Sequence, residues 1–249
     1  MHHLAAHLNW VSSGVYGCGI LGLGGRPEQS PGEHGHCGAA TVSAHLPAPA
    51  SAAEYALTGF LMKIGLVSDT HGYFDPQLPE LLENVDSILH AGDVGSLDVL
   101  EELEQIATVQ AVRGNVDPAG LNLPPSLKVR FENVQIEIQH QLPIPQDELG
   151  KWVDGSMLQQ LEPERLAKFL DGFDPATRVV VFGHSHRPCL LTLGHKLFFN
   201  PGSSGKKRFS LPRCLGLLEV FPRGVRGLII GLAEQDRALP GSVWLPIGE

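Results

Sequence analysis

The fold of this chain can be worked out from one stretch, MKIGLVSDTHG, which occupies residues 62–72. Its apolar part, Lys63–Ser68, is a short run that ends in polar residues, a pattern typical of a buried strand. Two side chains that can bind metals or move protons, Asp69 and His71, follow directly. The stretch therefore predicts a strand whose carboxyl end opens into a polar loop.

Downstream of this strand, apolar runs alternate with segments of helical spacing. A predicted helix, Gln77–Asn84, leads to the strand Ser87–Ala91, and the amphipathic helix Leu97–Ala107 leads to the strand Val109–Val112. The order βαβαβ indicates an α/β layered fold. The rest of the chain predicts a hairpin, a helix, a further strand and closing antiparallel strands: Leu127–Phe131 with Val134–His140, Leu158–Leu170, Arg178–Phe182, and then Cys189–Leu193, Lys196–Asn200, Cys214–Val220 and Gly224–Leu232.

The composition excludes several classes of protein. The 249 residues are 43% hydrophobic, which is enough for a sizeable core, and their formal net charge is −9. The negative charge argues against a broad nucleic-acid-binding surface, and four cysteines are too few for a disulfide framework. The sequence has no uninterrupted apolar run of about 18 residues, so it predicts no membrane span. We therefore expect a cytoplasmic globular protein.

Residues 1–61 differ in kind from residues 62–249. They contain one basic residue, Arg26, and they hold six of the twelve histidines and ten of the 29 glycines. Gly-Gly, Ser-Pro and Ala-Pro pairs interrupt any apolar periodicity. We predict a flexible Gly/Ala/His-rich leader here and one domain over residues 62–249. A start of translation at Met62 is the alternative.

Polar clusters follow several of the predicted strands. Ligands of open α/β folds bind outside the carboxyl ends of strands, so we expect these clusters at one edge of the sheet. Residues i and i+2 of an extended segment project to the same side, so each of the pairs Asp69–His71 and His184–His186 can converge on one point. Glycines at 92, 114 and 183 permit tight turns and close approach. The clusters are Asp69-Thr70-His71, Gly92-Asp93, Gly114-Asn115-Val116-Asp117, His140 and Gly183-His184-Ser185-His186.

The side chains of these clusters suit a centre of two metal ions. They offer the carboxylates of Asp69 and Asp93, the amide oxygen of Asn115 and four imidazoles. Mixed nitrogen and oxygen ligands favour Mn²⁺, Fe, Zn²⁺ or Ni²⁺ over Mg²⁺ or Ca²⁺. No cysteine belongs to the set, which argues against a thiolate zinc site. We expect two divalent ions, with Mn²⁺ the first choice.

Taken in order, these motifs resemble the pattern of the calcineurin-like metallophosphoesterases. The stretch at residues 62–72, the short spacing and the segment Asn200-Pro201-Gly202-Ser203 resemble the small single-domain phosphodiesterase branch of that superfamily. The resemblance covers roughly residues 62–220. It implies a four-layered α/β/β/α metallophosphoesterase sandwich and a metal-dependent phosphohydrolase that prefers phosphodiesters to monoesters.

The resemblance also implies how the ligands are shared. Asp69, His71, Asp93 and His186 would hold one metal ion, and Asp93 would bridge to a second ion that Asn115, His140 and His184 also hold. A hydroxide bridging the two ions, held through Asp93, would attack phosphorus in line, because metals lower the pKa of bound water to about 7. No protein nucleophile is expected, and the substrate-binding residues are left unknown.

Three departures from the family pattern bear on the site. Val116 stands where many members have a histidine that is thought to protonate the leaving group, and the lack of that histidine also marks the small phosphodiesterase branch. Gln141 follows His140 where the family usually has glycine. The segment Leu142–Met157 fills an otherwise short link to the next helix, and it predicts either a surface loop or a lid.

Several other residues near the motifs allow two interpretations. Arg113 could steer an anion or form a surface ion pair. The stretch SSGKKR, residues 203–208, could contact a phosphate or form a solvated turn. His90 is interpreted as a core or supporting histidine. Asp117 is interpreted as a residue that hydrogen-bonds the turn or orients a ligand histidine.

A non-catalytic scaffold of the same fold is the alternative to an enzyme. One protein of this fold serves in a membrane-trafficking coat with a degraded metal site. All seven ligand positions here carry liganding side chains, so the sequence favours a metal-dependent phosphoesterase acting on a phosphate ester. The apolar segment Gly227–Trp244 could support a homo-oligomer.

Overall fold

The structure is a computed structural model, and it describes residues 62–144, 163–208, 210–233 and 242–247. The predicted leader, residues 1–61, lies outside the described residues. So does most of the segment Leu142–Met157, of which residues 142–144 are described. The predicted helix Leu158–Leu170 is described from Pro163 onward.

Six strands form the first sheet, in the order β11-β10-β9-β1-β2-β3. Its strands β1, β2 and β3 run parallel, and each of β9, β10 and β11 pairs antiparallel with its neighbour. The βαβαβ prediction is confirmed. The bounds are β1 Met62–Val67, β2 Ser87–His90, β3 Thr108–Ala111, β9 Cys214–Phe221, β10 Gly224–Gly231 and β11 Ser242–Pro246.

Five strands form the second sheet, in the order β4-β5-β6-β8-β7. The strands β4 and β5 pair antiparallel in register, as the predicted hairpin requires. The inner strands β5, β6 and β8 run parallel to one another. The bounds are β4 Ser126–Phe131, β5 Val134–Gln139, β6 Thr177–Val181, β7 Cys189–Leu193 and β8 Lys196–Asn200.

The two sheets pack face to face, and helices cover their outer faces. Strand β1 shows the reason, because alternate residues of a strand point to opposite faces. Its Ile64 and Leu66 lie in the core between the sheets, whereas Val67 packs with residues of α1 (Leu78–Leu81) and α2 (Leu97–Glu104). On the far side, α3 (Pro163–Leu170) packs on the second sheet. The predicted α/β/β/α sandwich is confirmed.

Two details differ from the sequence prediction. The closing strands were expected to be antiparallel, but β8 pairs antiparallel with β7 and parallel with β6. The apolar pattern of a strand does not record the direction of its neighbour. Strand β11 begins inside the segment Gly227–Trp244, which was expected to expose apolar area. Val243 and Leu245 of β11 are buried. Among the described residues of the segment, the exposed large apolar side chain is that of Trp244, which is 36% exposed. A homo-oligomer stays a prediction.

Candidate metal centre

The loops that follow five strands meet at one edge of the sandwich. Asp69 and His71 follow β1, Asp93 follows β2, and Asn115 follows β3. His140 follows β5, and His184 and His186 follow β6. Because the carboxyl ends of parallel strands share an edge, the loops of both sheets can face one another there. The site is therefore built from both sheets.

The first ligand group comprises Asp69, His71 and His186. One potential ligand atom from each of these residues lies within 4.8 Å of the others. His186 Nε2 is 3.3 Å from Asp69 Oδ1 and 3.1 Å from His71 Nε2. Asp69 is fully buried, and the two histidines are half-buried. The group is therefore a compact set of one oxygen and two nitrogen ligands.

The second ligand group comprises Asp93, His140 and His184, which also converge within 4.8 Å. His140 Nε2 is 3.3 Å from Asp93 Oδ2. The amide oxygen of Asn115 joins this group, because it lies 3.0 Å from His140 Nε2 and 2.9 Å from His184 Nδ1. The group offers four potential ligand atoms, and Asp93 supplies the carboxylate.

Asp93 lies between the two ligand groups. Its Oδ2 is 3.9 Å from His71 Nε2 of the first group, as well as 3.3 Å from His140 Nε2 of the second. Ligand atoms about 2.1 Å from a metal ion stand roughly 3.0–3.4 Å apart in octahedral or tetrahedral geometry. The distances within each group, 2.9–3.3 Å, match these edges. The donor atoms of each group therefore fit a divalent metal ion.

The two ligand groups match the grouping that the family resemblance implies. The expectation that each pair of ligands converges because it lies on an extended segment is wrong. Asp69, His71, His184 and His186 all have positive φ, between 50° and 69°, as has Asp93 at 52°. These residues are not extended, so they converge through left-handed turns rather than through strand alternation. Positive φ is uncommon outside glycine and costs about 1–3 kcal/mol at a residue where the surroundings impose it. Five of the eight such residues in the described part of the chain lie in this site.

Two glycines allow the loops to approach one another. A Cβ at Gly114 would overlap Asp93 Oδ1, and one at Gly183 would overlap Ser68 Oγ and lie 2.7 Å from Asp69 Oδ2. Any side chain at either position would displace a carboxylate of the site. The prediction that these glycines serve close approach is confirmed.

Hydrogen bonds fix the loops that carry the ligands. Ser68 Oγ donates to Asp69 Oδ2 at 2.6 Å, and the His184 N–H donates to both oxygens of the same carboxylate. Asn200 Nδ2 donates to the carbonyl of Gly183 and to Ser185 Oγ, so it holds the loop between His184 and His186. The supporting roles of Ser68 and Asn200 were not predicted, because the spacing of the motifs does not show which loops touch.

The contacts of Asp117, His90 and Ser203 test the interpretations that the sequence allows for them. Asp117 accepts the N–H of Gly95 at 2.7 Å and of Gly114 at 2.8 Å, so it binds the turns. His90 is fully buried and contacts Thr70 Oγ1 at 2.9 Å, which makes it a supporting histidine. Ser203 is buried and donates to the carbonyl of Asp69, so it is neither a solvated turn residue nor open to a phosphate.

The two carboxylates of the site have opposite electrostatic settings. Burial raises the pKa of Asp69 to about 7, although the charge of His140 and the Ser68 hydroxyl oppose the rise. Burial acts on Asp93 too, but hydrogen bonds from His140 and from the N–H of Val116 lower its pKa to about 2. Burial also lowers the pKa of His71 and His184, and that of His186 to about 4. These three imidazoles are therefore neutral near pH 7 and can offer lone pairs.

A four-layered sandwich with histidines and carboxylates gathered at the carboxyl ends of its strands is the architecture of the metallophosphoesterases. The sequence profile of the calcineurin-like phosphoesterase superfamily domain matches residues 62–221. The chain belongs to this superfamily. Within the described residues, no helix is long and apolar enough to cross a membrane.

Two relatives are similar in sequence, and one solved structure is similar in fold. The chain is 31% identical over 173 residues to a probable metallophosphoesterase of Methanocaldococcus jannaschii, covering 68% of this chain and 79% of the relative. It is 28% identical over 176 residues to a phosphodiesterase of the same organism, covering 68% and 99%. The fold is similar to that of wild-type Vps29 from Entamoeba histolytica complexed with Zn²⁺, with TM-score 0.55, 18% identity and coverage of 74% of this chain and 99% of that one.

Proposed function

We propose that this chain is a phosphodiesterase that needs two divalent metal ions. The observation that carries the proposal is the position of Asp93 Oδ2, 3.9 Å from a nitrogen of the first ligand group and 3.3 Å from one of the second. A carboxylate so placed can serve two ions at once. When bound, the two ions would supply a hydroxide nucleophile for in-line attack and would stabilise the phosphoryl oxygens.

The charges of the residues at the site favour the binding of cations, and bound cations would then attract an anion. Asp69 is buried with a pKa raised to about 7, because burial outweighs the charge of His140 and the hydrogen bonds that favour its ionised form. The ionised Asp93 and the neutral His71, His184 and His186 supply further ligand atoms. The pKa of His140 is raised, because its hydrogen bond to Asp93 and the charges of Asp69 and Asp93 outweigh its burial. Two divalent ions with two carboxylates leave a net positive site, which would attract a phosphate despite the overall charge of −9.

A diester is favoured over a monoester by the residue after Asn115. This residue, Val116, is 58% exposed beside the site, and it contributes its backbone N–H to Asp93 Oδ1 at 3.1 Å. Its side chain cannot donate a proton to a leaving group. The site therefore suits esters with good leaving groups, and the phosphodiesterase of M. jannaschii is a relative with that activity in its name.

The ligand types leave the choice of metal to Mn²⁺, Ni²⁺, Zn²⁺ or Fe, with Mn²⁺ proposed first. Vps29, whose fold is similar, has been crystallised with Zn²⁺. A non-catalytic scaffold stays the alternative, but complete donor sets in both ligand groups favour the enzyme. A cytoplasmic location and the lack of a broad nucleic-acid surface are part of the same proposal.

One assay tests the proposal. The purified protein is stripped with a chelator, and hydrolysis of bis(p-nitrophenyl) phosphate and of p-nitrophenyl phosphate is measured before and after Mn²⁺, Ni²⁺, Zn²⁺ or Fe²⁺ is returned. We expect activity to return with metal and kcat/KM to be higher for the diester. No metal-restored turnover would refute the enzyme, whereas a higher kcat/KM for the monoester would refute the diester preference alone.

A further inference from the structure

A cleft of about 390 Å³ adjoins the second ligand group. Asn115 and His140 line both the cleft and the group, so a substrate bound at the metal centre would extend directly into the cleft. A volume of this size lies at the lower end of ligand sites and suits a sugar- or nucleoside-sized group. The lining residues are Arg113, Gly114, Asn115, Pro125, Ser126, Gln139, His140 and Gln141.

The charge of this lining has one sign. None of these lining residues is an aspartate, a glutamate or a lysine, and the one arginine among them is Arg113. Its side chain is exposed, and within the described residues it forms no ion pair, contrary to one of the two sequence interpretations. Its backbone N–H donates to the carbonyl of Pro124 at 2.8 Å, which fixes the start of its side chain at the cleft.

We propose that this cleft binds a second anionic group of the substrate, and that Arg113 recognises it. A guanidinium pairs with phosphate or carboxylate through two parallel hydrogen bonds, and no carboxylate of the lining competes for it. Ser126, Gln139 and Gln141 supply neutral hydrogen-bonding groups around it. The substrate class is a phosphodiester with a phosphate on one of its ester groups. This inference rests on the proposed function.

The test compares two substrates that differ in one phosphate. Thymidine 5′-(p-nitrophenyl phosphate) and its 3′-phosphorylated form are hydrolysed by the metal-loaded protein and by Arg113→Gln. We expect the 3′-phosphate to raise kcat/KM about tenfold or more in the wild type, and this ratio to fall to near one in Arg113→Gln. The matched control is Arg130→Gln, an exposed arginine of β4 that contacts Gln135. It should keep the wild-type ratio.

A binding experiment keeps the inference testable without turnover. Calorimetry with thymidine 3′,5′-bisphosphate and thymidine 5′-monophosphate should give the same preference and the same loss in Arg113→Gln. A wild type that hydrolyses bis(p-nitrophenyl) phosphate but ignores the 3′-phosphate would overturn the cleft and leave the proposed function intact. Loss of the preference in Arg208→Gln with retention in Arg113→Gln would place the anion at residues 206–208 and would also overturn it.

A separate contact concerns His184. The side-chain amide nitrogen of Gln141 lies 2.8 Å from His184 Nε2, while His184 Nδ1 faces Asn115 Oδ1 at 2.9 Å. In this arrangement the amide N–H donates to Nε2, and the ring carries its proton on Nδ1. A ring with that proton cannot offer the Nδ1 lone pair that points into the second ligand group.

The amide of Gln141 can serve the other tautomer equally well. A half-turn about its last bond exchanges its N–H and its oxygen at nearly the same places, and amide orientations are exchangeable in this way. The oxygen would then accept a proton from His184 Nε2, which frees Nδ1. Ligand histidines commonly donate their second N–H to such an acceptor, and loss of it weakens metal binding by about 10–100-fold.

We infer that Gln141 is a positioning residue that supports the metal-binding tautomer of His184 by accepting the proton of its Nε2–H. The inference rests on this contact and on the proposed role of His184 as a ligand. Gln141→Leu removes the acceptor, and Gln141→Glu keeps one. Calorimetric titration with Mn²⁺ should show one of two sites weakened about 10–100-fold in Gln141→Leu and retained in Gln141→Glu. Gln105→Leu is the control, because Gln105 contacts Glu101 at the end of α2.

Nitrogen NMR of the imidazole gives a readout that does not need bound metal. In the metal-free wild type we expect His184 to hold its proton mainly on Nδ1, and Gln141→Leu to shift the ring towards the Nε2–H tautomer. Unchanged ring shifts together with unchanged Mn²⁺ affinity in Gln141→Leu would overturn the inference. Failure of the wild type to bind any divalent ion, with the tautomer shift present, would count against the proposed function and not against the contact.

Discussion

Two clusters of buried polar side chains lie at opposite ends of the second sheet. At the end where β6 and β8 begin, Glu137 accepts from Thr177 Oγ1 at 2.8 Å and from the Asp174 N–H at 3.1 Å, and it pairs with Lys128 at 3.2 Å. Lys196 Nζ donates to the carbonyls of Asp174 and Thr177. Each donor there meets an acceptor. The metal centre is at the end where β5 and β6 finish.

The metal centre does not show that balance. One oxygen of Asn115 faces two ring nitrogens, two further ring nitrogens face each other at 3.1 Å, and Asp69 is buried with a pKa raised to about 7. Burial of an ionised carboxylate is unfavourable where its partners do not fully replace the lost water. The structural cluster contains its own partners, whereas the donor atoms of the candidate metal centre suit cations that the described residues do not supply.

The largest expected effect tests the shared carboxylate. Asp93→Ala removes an oxygen from both donor sets, so we expect kcat/KM on bis(p-nitrophenyl) phosphate to fall by a factor of about 1,000 or more, or about 4 kcal/mol. Metal analysis should find fewer than two ions per chain. Asp171→Asn, an exposed aspartate at the end of α3, is the control and should keep both values. Full activity in Asp93→Ala would contradict the site.

The second effect is a pH dependence at His90. Burial lowers its pKa from 6.5 to about 4, although the charge of Asp117 opposes this. A histidine with a lowered folded-state pKa contributes stability above its unfolded pKa of 6.5 and loses that stability as the pH falls through 4. The loss is of the order of 3 kcal/mol.

Denaturant unfolding at pH 7, 5.5 and 4 measures this loss. His90→Gln should be less stable at pH 7, because its contacts to Thr70 and Gly92 change, and should depend less on pH over this window. Parallel curves for the two proteins would show that His90 titrates normally in the folded state.

The third effect tests the raised pKa of Asp69. Its raised pKa means that it contributes stability below pH 3.8, which is lost as the pH rises through about 7. Metal-free protein at pH 8 should therefore be stabilised by Mn²⁺, by about 2.7 kcal/mol at a free concentration of about 100 times the Kd. Asp69→Asn should be more stable than the metal-free wild type at pH 8 and should gain less from Mn²⁺.

The smallest effect tests the opposite cluster. Lys196→Met leaves the carbonyls of Asp174 and Thr177 without this donor, so we expect a loss of about 1–3 kcal/mol in the free energy of unfolding. The number of metal ions bound per chain should stay the same. A change in metal content on this substitution would mean that the two ends of the sheet are coupled, and the contrast between them would fail.

Much of the fold was predictable because its signals are local. Apolar runs such as Ser87–His90 mark buried strands, and the spacing of Leu100 and Leu103 marks a helix that covers a sheet. The parallel pairing of β6 with β8 and the place of β11 were not predictable. Both depend on which strands become neighbours, and sequence periodicity does not record that choice.

For the site, the sequence by itself determined the kinds of ligand and their place after strands, because the residue types and the apolar runs are local. The tertiary structure alone decided that the N–H of His184 donates to Asp69, 115 positions away in the chain, and that Gln141 contacts His184. It also decided that Asp69 and His184 lie in left-handed turns. Burial is the main cause that raises the pKa of Asp69, and the charge of Asp93 adds to the rise. These properties depend on long-range packing, since a side chain's desolvation and its partners are set by elements distant in sequence.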